Sequence, residues 1–312
     1  MIISNQLKER FVRDCRIPIK LFAEPYFTER IQSFDKYFGT VAKWEQFIST
    51  LEKYSSEEEY FAAYNKVKDD AINFIKDNPA YEVFNTMDMQ PYAIENINFP
   101  HKDIYHASNI GRTFASIDMK KANFSSMHYY DPAIFGGAET WEDFLRMFTD
   151  NEYIIQSKYI REVILGNCNP KRHITYEKYL MDQVLKDLKV HGIAPSEIVY
   201  FSNDEIVVDI TDLLDHNWKE VITGVINRAV IPLRLEVFKL RGIKDNKEIV
   251  GYIREMTDGS VDFKCLTNLN YPYVLRALDG EAITDSDLVF EYEGKLAKFL
   301  IEPNITIIDT FN

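Results

Sequence analysis

Apolar side chains recur at three- and four-residue spacing over much of the chain, which is the pattern of amphipathic helices. This spacing predicts helices within residues 26–75, 139–148, 153–165 and 176–190. Inside the first range, residues 55–59 are expected to form a loop and a new helix start. Serine is a preferred N-cap there, and carboxylates favour the positive end of a helix.

Runs of β-branched and aromatic residues, bounded by turn-forming residues, predict strands in the rest of the chain. Their ranges are 112–118, 197–201, 205–210, 233–240, 248–256, 261–266 and 288–293. The second and third runs flank Ser202, Asn203 and Asp204 and predict a β-hairpin with a polar tip. Segment 78–106 carries three prolines and is expected to hold turns and extended chain that mark a boundary.

These elements predict an α+β fold in three regions. Residues 1–100 form an N-terminal helical region, residues 101–228 a core of strands and helices, and residues 229–312 a β-rich C-terminal part. A chain of 312 residues is long enough for two compact domains, or for one domain with an appendage.

Charge and cysteine content narrow the class of protein. The chain has 36 Lys and Arg against 49 Asp and Glu, a net charge of −13, which argues against a broad basic surface that coats nucleic acid. A narrow basic track is compatible with it. Three widely separated cysteines suggest neither a disulfide framework nor a cysteine zinc site. The chain shows no signal peptide and no run of roughly 18 apolar residues, so we expect a cytoplasmic or nucleoplasmic protein that is not secreted and has no membrane partner.

Two aspartates occupy positions at which acids can carry chemistry. Asp118 closes an apolar strand, and Asp204 lies at the tip of the hairpin. If these strands are neighbours, the two carboxylates meet at one edge of a sheet and offer an all-oxygen site for Mg²⁺ or Mn²⁺. Two such ions can stabilise the attacking and leaving oxygens of a phosphoryl transfer. Taken singly, however, each aspartate is more typical of a turn.

The order of these pieces resembles the palm of nucleic-acid polymerases. The segment Ser116-Ile-Asp-Met-Lys-Lys-Ala-Asn-Phe-Ser125 is similar to the first palm motif of family B polymerases, although it lacks that family's Leu-Tyr-Pro. The segment Tyr200-Phe-Ser-Asn-Asp-Glu-Ile206 is similar to the third, Tyr-Gly-Asp-Thr-Asp-Ser-Ile, with Ser202 in place of the first Asp.

A middle segment, Lys158-Tyr-Ile-Arg-Glu-Val-Ile-Leu-Gly166, has that family's Lys and Gly eight residues apart. Glu162, Val163 and Leu165 replace its Asn, Ser and Tyr. The likeness spans roughly residues 112–210 and leaves room for only short fingers. It implies a palm-like antiparallel sheet with helices in a polymerase of reduced, primase-like size and viral type.

The resemblance also implies roles for individual residues. Asp118 and Asp204 would be the catalytic metal ligands, with Glu205 as a supplementary acid. Lys158 would face the triphosphate, and Arg161 could join it from the same helical face. Phe124, just past the first motif, could shape the sugar pocket. The alternative for Lys158 and Arg161 is a solvated helix face.

Five basic residues are candidates for contact with a nucleic-acid backbone. Lys171 and Arg172 lie in a polar turn after the middle motif, which as an ordinary exposed loop needs no function. Lys239, Arg241 and Lys264 alternate with apolar residues and would project from one side of a sheet. Charges on the solvent face of an antiparallel sheet explain these three equally well.

The sequence therefore predicts a template-directed nucleotidyltransferase of DNA replication, with a nucleoside triphosphate and a template and primer as partners. The N-terminal helices could bind a protein partner. The alternative is a non-catalytic structural or interaction protein with a degenerate palm-like fold, consistent with Ser202 in the third motif. A further alternative is template-independent nucleotidyl transfer to a small acceptor.

Overall fold

A computed structural model describes residues 3–94, 104–213 and 217–311. The helices of these residues are α1 Asn5–Asp14, α2 Tyr26–Ser33, α3 Asp35–Phe38, α4 Thr40–Leu51, α5 Glu57–Lys76, α6 Pro79–Thr86, α7 Ala122–Tyr130, α8 Trp141–Arg146, α9 Glu152–Gln156, α10 Lys158–Gly166, α11 Pro170–Val190, α12 Trp218–Arg228 and α13 Tyr271–Asp279. The strands are β1 Thr113–Met119, β2 Ile198–Phe201, β3 Glu205–Asp209, β4 Leu233–Asp245, β5 Glu248–Met256, β6 Val261–Lys264, β7 Val289–Tyr292, β8 Lys295–Lys298 and β9 Ile305–Ile308.

The predicted α+β class is confirmed, since helices accompany antiparallel strands. Helices α1 to α6 lie in the described part of the N-terminal region, whereas six of the nine strands that the structure describes lie beyond residue 232. Across the described ranges, the structure contains no helix with both the length and the apolarity needed to span a bilayer.

The chain divides into two compact units. Unit 1 comprises Met1–Tyr64, Asn151–Ile160 and Leu240–Asn312, and unit 2 comprises Asn65–Asp150 and Arg161–Lys239. Neither unit is one contiguous stretch, and α5, α10 and β4 contribute residues to both. The predicted boundary between residues 100 and 101 lies outside the described residues.

Unit 2 contains an antiparallel sheet in the order β2-β3-β1-β4, to which β4 contributes its first residues. Strand β1 is central, and both of its faces are largely buried: Ala115, Ile117 and Met119 lie on one face, and Phe114 and Ser116 lie on the other. Side chains alternate across a strand, so Asp118 shares the face of Ser116. Helix α11 packs against both α7 and β3, which places these two helices beside the sheet.

Aromatic rings fill the interior of unit 2 around helix α7. Phe124 lies 4.6 Å from Phe135 and 6.1 Å from Trp141, measured between ring centroids. Phe144 packs against both of those rings. The turn from β1 into α7 is held by the hydroxyl of Ser125, which donates to the carbonyl of Lys120 over 2.6 Å. The first turn of α7 is thereby tied to the end of β1.

Unit 1 has its own aromatic core. Phe11 and Phe27 both meet the ring of Trp44 edge-on, and Phe47 packs against Tyr153. The strands of this unit are the last residues of β4, with β9 paired to them, and β5 paired with β6. A separate hairpin joins β7 and β8.

At three places a capping serine or a first-turn proline makes a helix differ from the sequence prediction. The helix expected over 153–165 is two helices, because the Ser157 hydroxyl accepts from the Ile160 amide and begins α10 anew. The proline-bearing start of segment 78–106 is helical, because Pro79 occupies the first turn, where its missing N–H costs nothing. For the same reason α11 begins at Pro170, so the expected basic loop at Lys171 and Arg172 is the first turn of a helix.

Candidate active site at the ends of strands β1 and β3

The strands that carry the two candidate motifs are direct neighbours. In the antiparallel register of β1 and β3, Asp118 lies opposite Glu205, and Ile117 lies opposite Ile206. The amide of Met119 donates to the carbonyl of Asp204 over 2.8 Å. The condition that the sequence set for a shared site is therefore met: Asp118, Asp204 and Glu205 lie together at one end of the strand pair.

Asp118 and Glu205 each bond to a polar neighbour. The Ser116 hydroxyl donates to Glu205 Oε1 over 2.6 Å. Strand β4 brings Arg234 opposite Asp118, and the Arg234 Nε donates to Asp118 Oδ2 over 2.8 Å. The same guanidinium lies 3.2 Å from Glu236. Arg234 is about half exposed, at 52%, so solvent screens this pair.

The hairpin tip has a second set of contacts. The Ser202 hydroxyl accepts from the amide of Glu205 over 3.0 Å and donates to Asp204 Oδ1 over 3.0 Å. The side-chain amide of Asn203 donates to Glu177 Oε2 on α11 over 2.6 Å. Glu177 Oε1 accepts from His173 Nδ1 over 3.0 Å.

Sequence reasoning missed Glu177. It is only 2% exposed and lies on the same helical row as Met181 and Leu185, both fully buried. A charged residue in an otherwise apolar i, i+4 row is the signal that could have found it, because a carboxylate is seldom buried without a partner.

The pKa values of Asp118 and Asp204 are both raised, mainly by burial. Burial raises the pKa of Asp118 above its ordinary range, with Asp204 and Glu205 adding to the rise and Arg234 opposing it. Burial also raises the pKa of Asp204, with a contribution from the charges of Glu177 and Glu205 and opposition from the Ser202 hydroxyl. A cation placed among these groups would lower both pKa values, since it favours the charged forms.

The donor chemistry of this cluster fits a hard divalent ion, because every donor is a carboxylate oxygen. The positions of these carboxylates fit a metal ion less well than their chemistry does. Within the described parts of the chain, no three or more His, Cys, Asp or Glu side chains are grouped so as to hold a metal. Arg234 is the cation that meets Asp118, so a metal ion at that carboxylate would compete with it.

The predicted triphosphate contacts fall in different units. Lys158 begins α10 as an exposed residue of unit 1, whereas Arg161 is half-buried and belongs to unit 2 together with the acids. Phe124, the predicted sugar-pocket residue, is buried among aromatic rings and lies in the wall of a cavity of about 330 Å³. Ser125, His128 and Pro232 also line that cavity.

Among the predicted nucleic-acid contacts, Arg172, Arg241 and Lys264 have partners within the protein. Arg172 donates to the carbonyl of Phe84 over 3.0 Å and to that of Met87, and so caps the end of α6. Arg241 pairs with Asp309 over 2.8 Å, and Lys264 pairs with Asp262 over 2.9 Å.

The other two predicted contacts, Lys171 and Lys239, are exposed in unit 2.

Comparison of the chain with protein-family models, curated proteins and solved structures finds no match.

Proposed function

We propose that this chain is a template-directed nucleotidyltransferase, a small palm-type polymerase whose reaction centre lies at the ends of β1 and β3. The observation that carries the proposal is the antiparallel pairing of these strands, which sets Asp118 opposite Glu205 and bonds Met119 to the carbonyl of Asp204. Carboxylates from two distant sequence motifs are thereby held side by side.

In the proposed reaction, a 3′-hydroxyl attacks the α-phosphorus of a nucleoside triphosphate and loses its proton to water, while the bond from the α-phosphorus to the bridging oxygen breaks and pyrophosphate leaves. Mg²⁺ or Mn²⁺ held by Asp118, Asp204 and Glu205 would supply charge neutralisation at the attacking and leaving oxygens. The chain's own contribution is to orient these carboxylates through the hydroxyls of Ser116 and Ser202. Arg161, which belongs to the same unit as the acids, remains the proposed contact to the triphosphate.

The proposal is tested by incorporation of labelled nucleotides with Mg²⁺ or Mn²⁺ on primed and unprimed templates. We expect template-dependent extension that Asp204→Asn lowers by about 100-fold or more, since even residues that only support a metal ligand cost up to about that factor. Asp212→Asn is the matched control, because this acid of the same unit is 90% exposed. A folded wild type that incorporates nothing under any condition contradicts the proposal, and incorporation without a template favours transfer to a small acceptor.

Arg234 should compete with a divalent ion for Asp118. We expect Arg234→Gln to tighten Mn²⁺ binding about two- to fivefold, because a half-exposed ion pair is worth up to about 1 kcal/mol. Electron paramagnetic resonance of free Mn²⁺ measures this directly. Asp118→Asn should instead weaken the binding, and an unchanged affinity in both variants would exclude a metal site at Asp118.

The second candidate is a non-catalytic protein with a palm-like fold. It is favoured by the ion pair between Arg234 and Asp118, which neutralises a proposed ligand within the protein itself. This candidate requires no divalent-ion site that is lost in Asp118→Asn and Asp204→Asn. The same Mn²⁺ titration therefore separates the two functions without any assay of catalysis.

A further inference from the structure

A buried carboxylate on helix α11 reaches the tip of the β2–β3 hairpin. Glu177 is 2% exposed and His173 5% exposed, so this part of the helix lies inside unit 2. Each carboxylate oxygen of Glu177 has its own partner: Oε1 accepts from His173 Nδ1 over 3.0 Å, and Oε2 accepts from Asn203 Nδ2 over 2.6 Å. The contact between His173 and Glu177 uses the imidazole tautomer with its hydrogen on Nδ1, since a carboxylate oxygen accepts from a ring N–H.

The tip that Glu177 holds is otherwise organised by its own residues. Ser202 bonds to the amides of Asp204 and Glu205, at 3.3 and 3.0 Å, which closes the turn locally. Those bonds shape the turn but do not attach it to a neighbouring element. Attachment comes from Met119, whose amide donates to the Asp204 carbonyl, and from the contact of Asn203 with Glu177.

Packing alone does not explain the contact between Glu177 and Asn203. A buried carboxylate must be fully hydrogen-bonded to offset the loss of its water. The charge of Glu177 also lies close enough to Asp204 to disfavour ionisation of that acid. An apolar residue at this position would continue the row of Met181 and Leu185 without either penalty. The hydrogen bonds of Glu177 with His173 and Asn203 therefore fix the relative orientation of these side chains, which an apolar residue of the same size could not do.

We infer that Glu177 is a positioning residue: through Asn203 it fixes the hairpin tip to α11 and so sets where Asp204 stands relative to Asp118. Its relevance to catalysis rests on the proposed function, whereas the anchoring of the tip does not. His173 orients Glu177, because its hydrogen bond to Oε1 holds the carboxylate so that Oε2 points to Asn203.

The test combines amide hydrogen exchange with Mn²⁺ binding, both measured on the whole chain without nucleotide. Asn203→Ala removes the donor at a partly exposed position and leaves the side chain of Glu177 itself in place. We expect exchange at residues 202–205 to become about tenfold faster, since hydrogen bonds to charged groups are worth at least this factor. The Mn²⁺ dissociation constant should rise by a similar factor, and the melting temperature should fall modestly, because the change leaves Glu177 Oε2 without its donor.

Three further variants make the result specific. Glu177→Gln keeps an acceptor for Asn203 and should preserve slow exchange at the tip, whereas Glu177→Leu should lose it. Asn85→Ala is the matched control, because it removes a side-chain amide that bonds Asn169 on the same unit, far from the hairpin in sequence. It should leave both the exchange at the tip and the Mn²⁺ affinity unchanged.

Each outcome decides the inference. Unchanged exchange at residues 202–205 in Asn203→Ala shows that Glu177 does not anchor the tip. Faster exchange with unchanged Mn²⁺ affinity overturns the positioning of Asp204, and so does a wild type that binds no Mn²⁺. Faster exchange together with weaker Mn²⁺ binding supports it. If the wild type then incorporates no nucleotide, the proposed polymerase activity fails while the anchored ion site stands.

Discussion

Asp14, at the end of α1 in unit 1, is a buried acid whose protonation state is coupled to folding. Its side chain is 1% exposed. The hydroxyls of Tyr64 and Ser157 donate to Oδ1 over 2.9 and 3.1 Å, and Arg10 lies 4.0 Å away. Burial outweighs these contacts and raises the pKa of Asp14 to about 6, from an ordinary value of 3.8.

This pKa predicts a pH dependence of stability. The folded chain binds this proton more tightly than the unfolded chain, so the contribution of Asp14 favours folding at low pH and is lost as the pH rises through about 6. Between about pH 4.5 and about pH 7, wild type should lose about 2 kcal/mol of unfolding free energy that Asp14→Asn does not lose. Urea denaturation of both proteins at the two pH values measures the difference, and parallel pH profiles would contradict it.

At the scale of single residues, the sequence predicts only a part of the candidate site. Asp118 and Asp204 were found because strand ends and hairpin tips are recognisable locally. Arg234 was not, because it meets Asp118 only through the pairing of β1 with β4, across 116 positions. Glu177 was missed for a related reason, since its partner Asn203 lies 26 positions away. Roles that depend on long-range partners cannot be derived from local pattern.

At the scale of elements, helix α6 shows what its N-cap contributes. Asn78 Oδ1 accepts from the amide of Ala80 over 2.9 Å, and its Nδ2 donates to the carbonyl of Ala133 over 2.6 Å. Asn78→Ala should cost about 1–2 kcal/mol of unfolding free energy, because it removes the cap and one further hydrogen bond. Asn78→Ser keeps a capping oxygen and should recover most of the loss in a denaturant titration. Equal loss in both variants would mean that the cap is unimportant.

The hydrophobic pattern predicted the bounds of several strands accurately. Strand β5 has the predicted bounds, and the hairpin of β2 and β3 was found within one residue at each end. The pattern failed where one residue changes the local geometry. Ser157 divides a continuous apolar pattern into α9 and α10, and Pro79 starts a helix where proline suggested a turn. In each case a capping or first-turn position outweighed the average composition.

At the scale of the whole molecule, the net charge of −13 bears on any binding of nucleic acid. A narrow basic track on such a chain would neutralise few phosphates, so the affinity should depend only weakly on salt. Lys171→Gln should lower the slope of log affinity against log salt by about one contact. Lys264→Gln should change it less, because Asp262 already pairs with that lysine. Fluorescence anisotropy with labelled primer–template at several salt concentrations measures both, and equal effects would refute this distinction.

The division into units has a consequence for how the chain is made. Unit 2 has all its residues once Lys239 has been synthesised, whereas unit 1 needs Leu240–Asn312 to be complete. The helices up to Tyr64 therefore emerge first and then wait for about 10 to 50 s at ordinary rates of translation before their strands arrive. During that time, the helix surfaces that these strands cover in the folded unit are exposed to solvent. Unit 1, whose helices are synthesised before unit 2, is therefore completed only after unit 2.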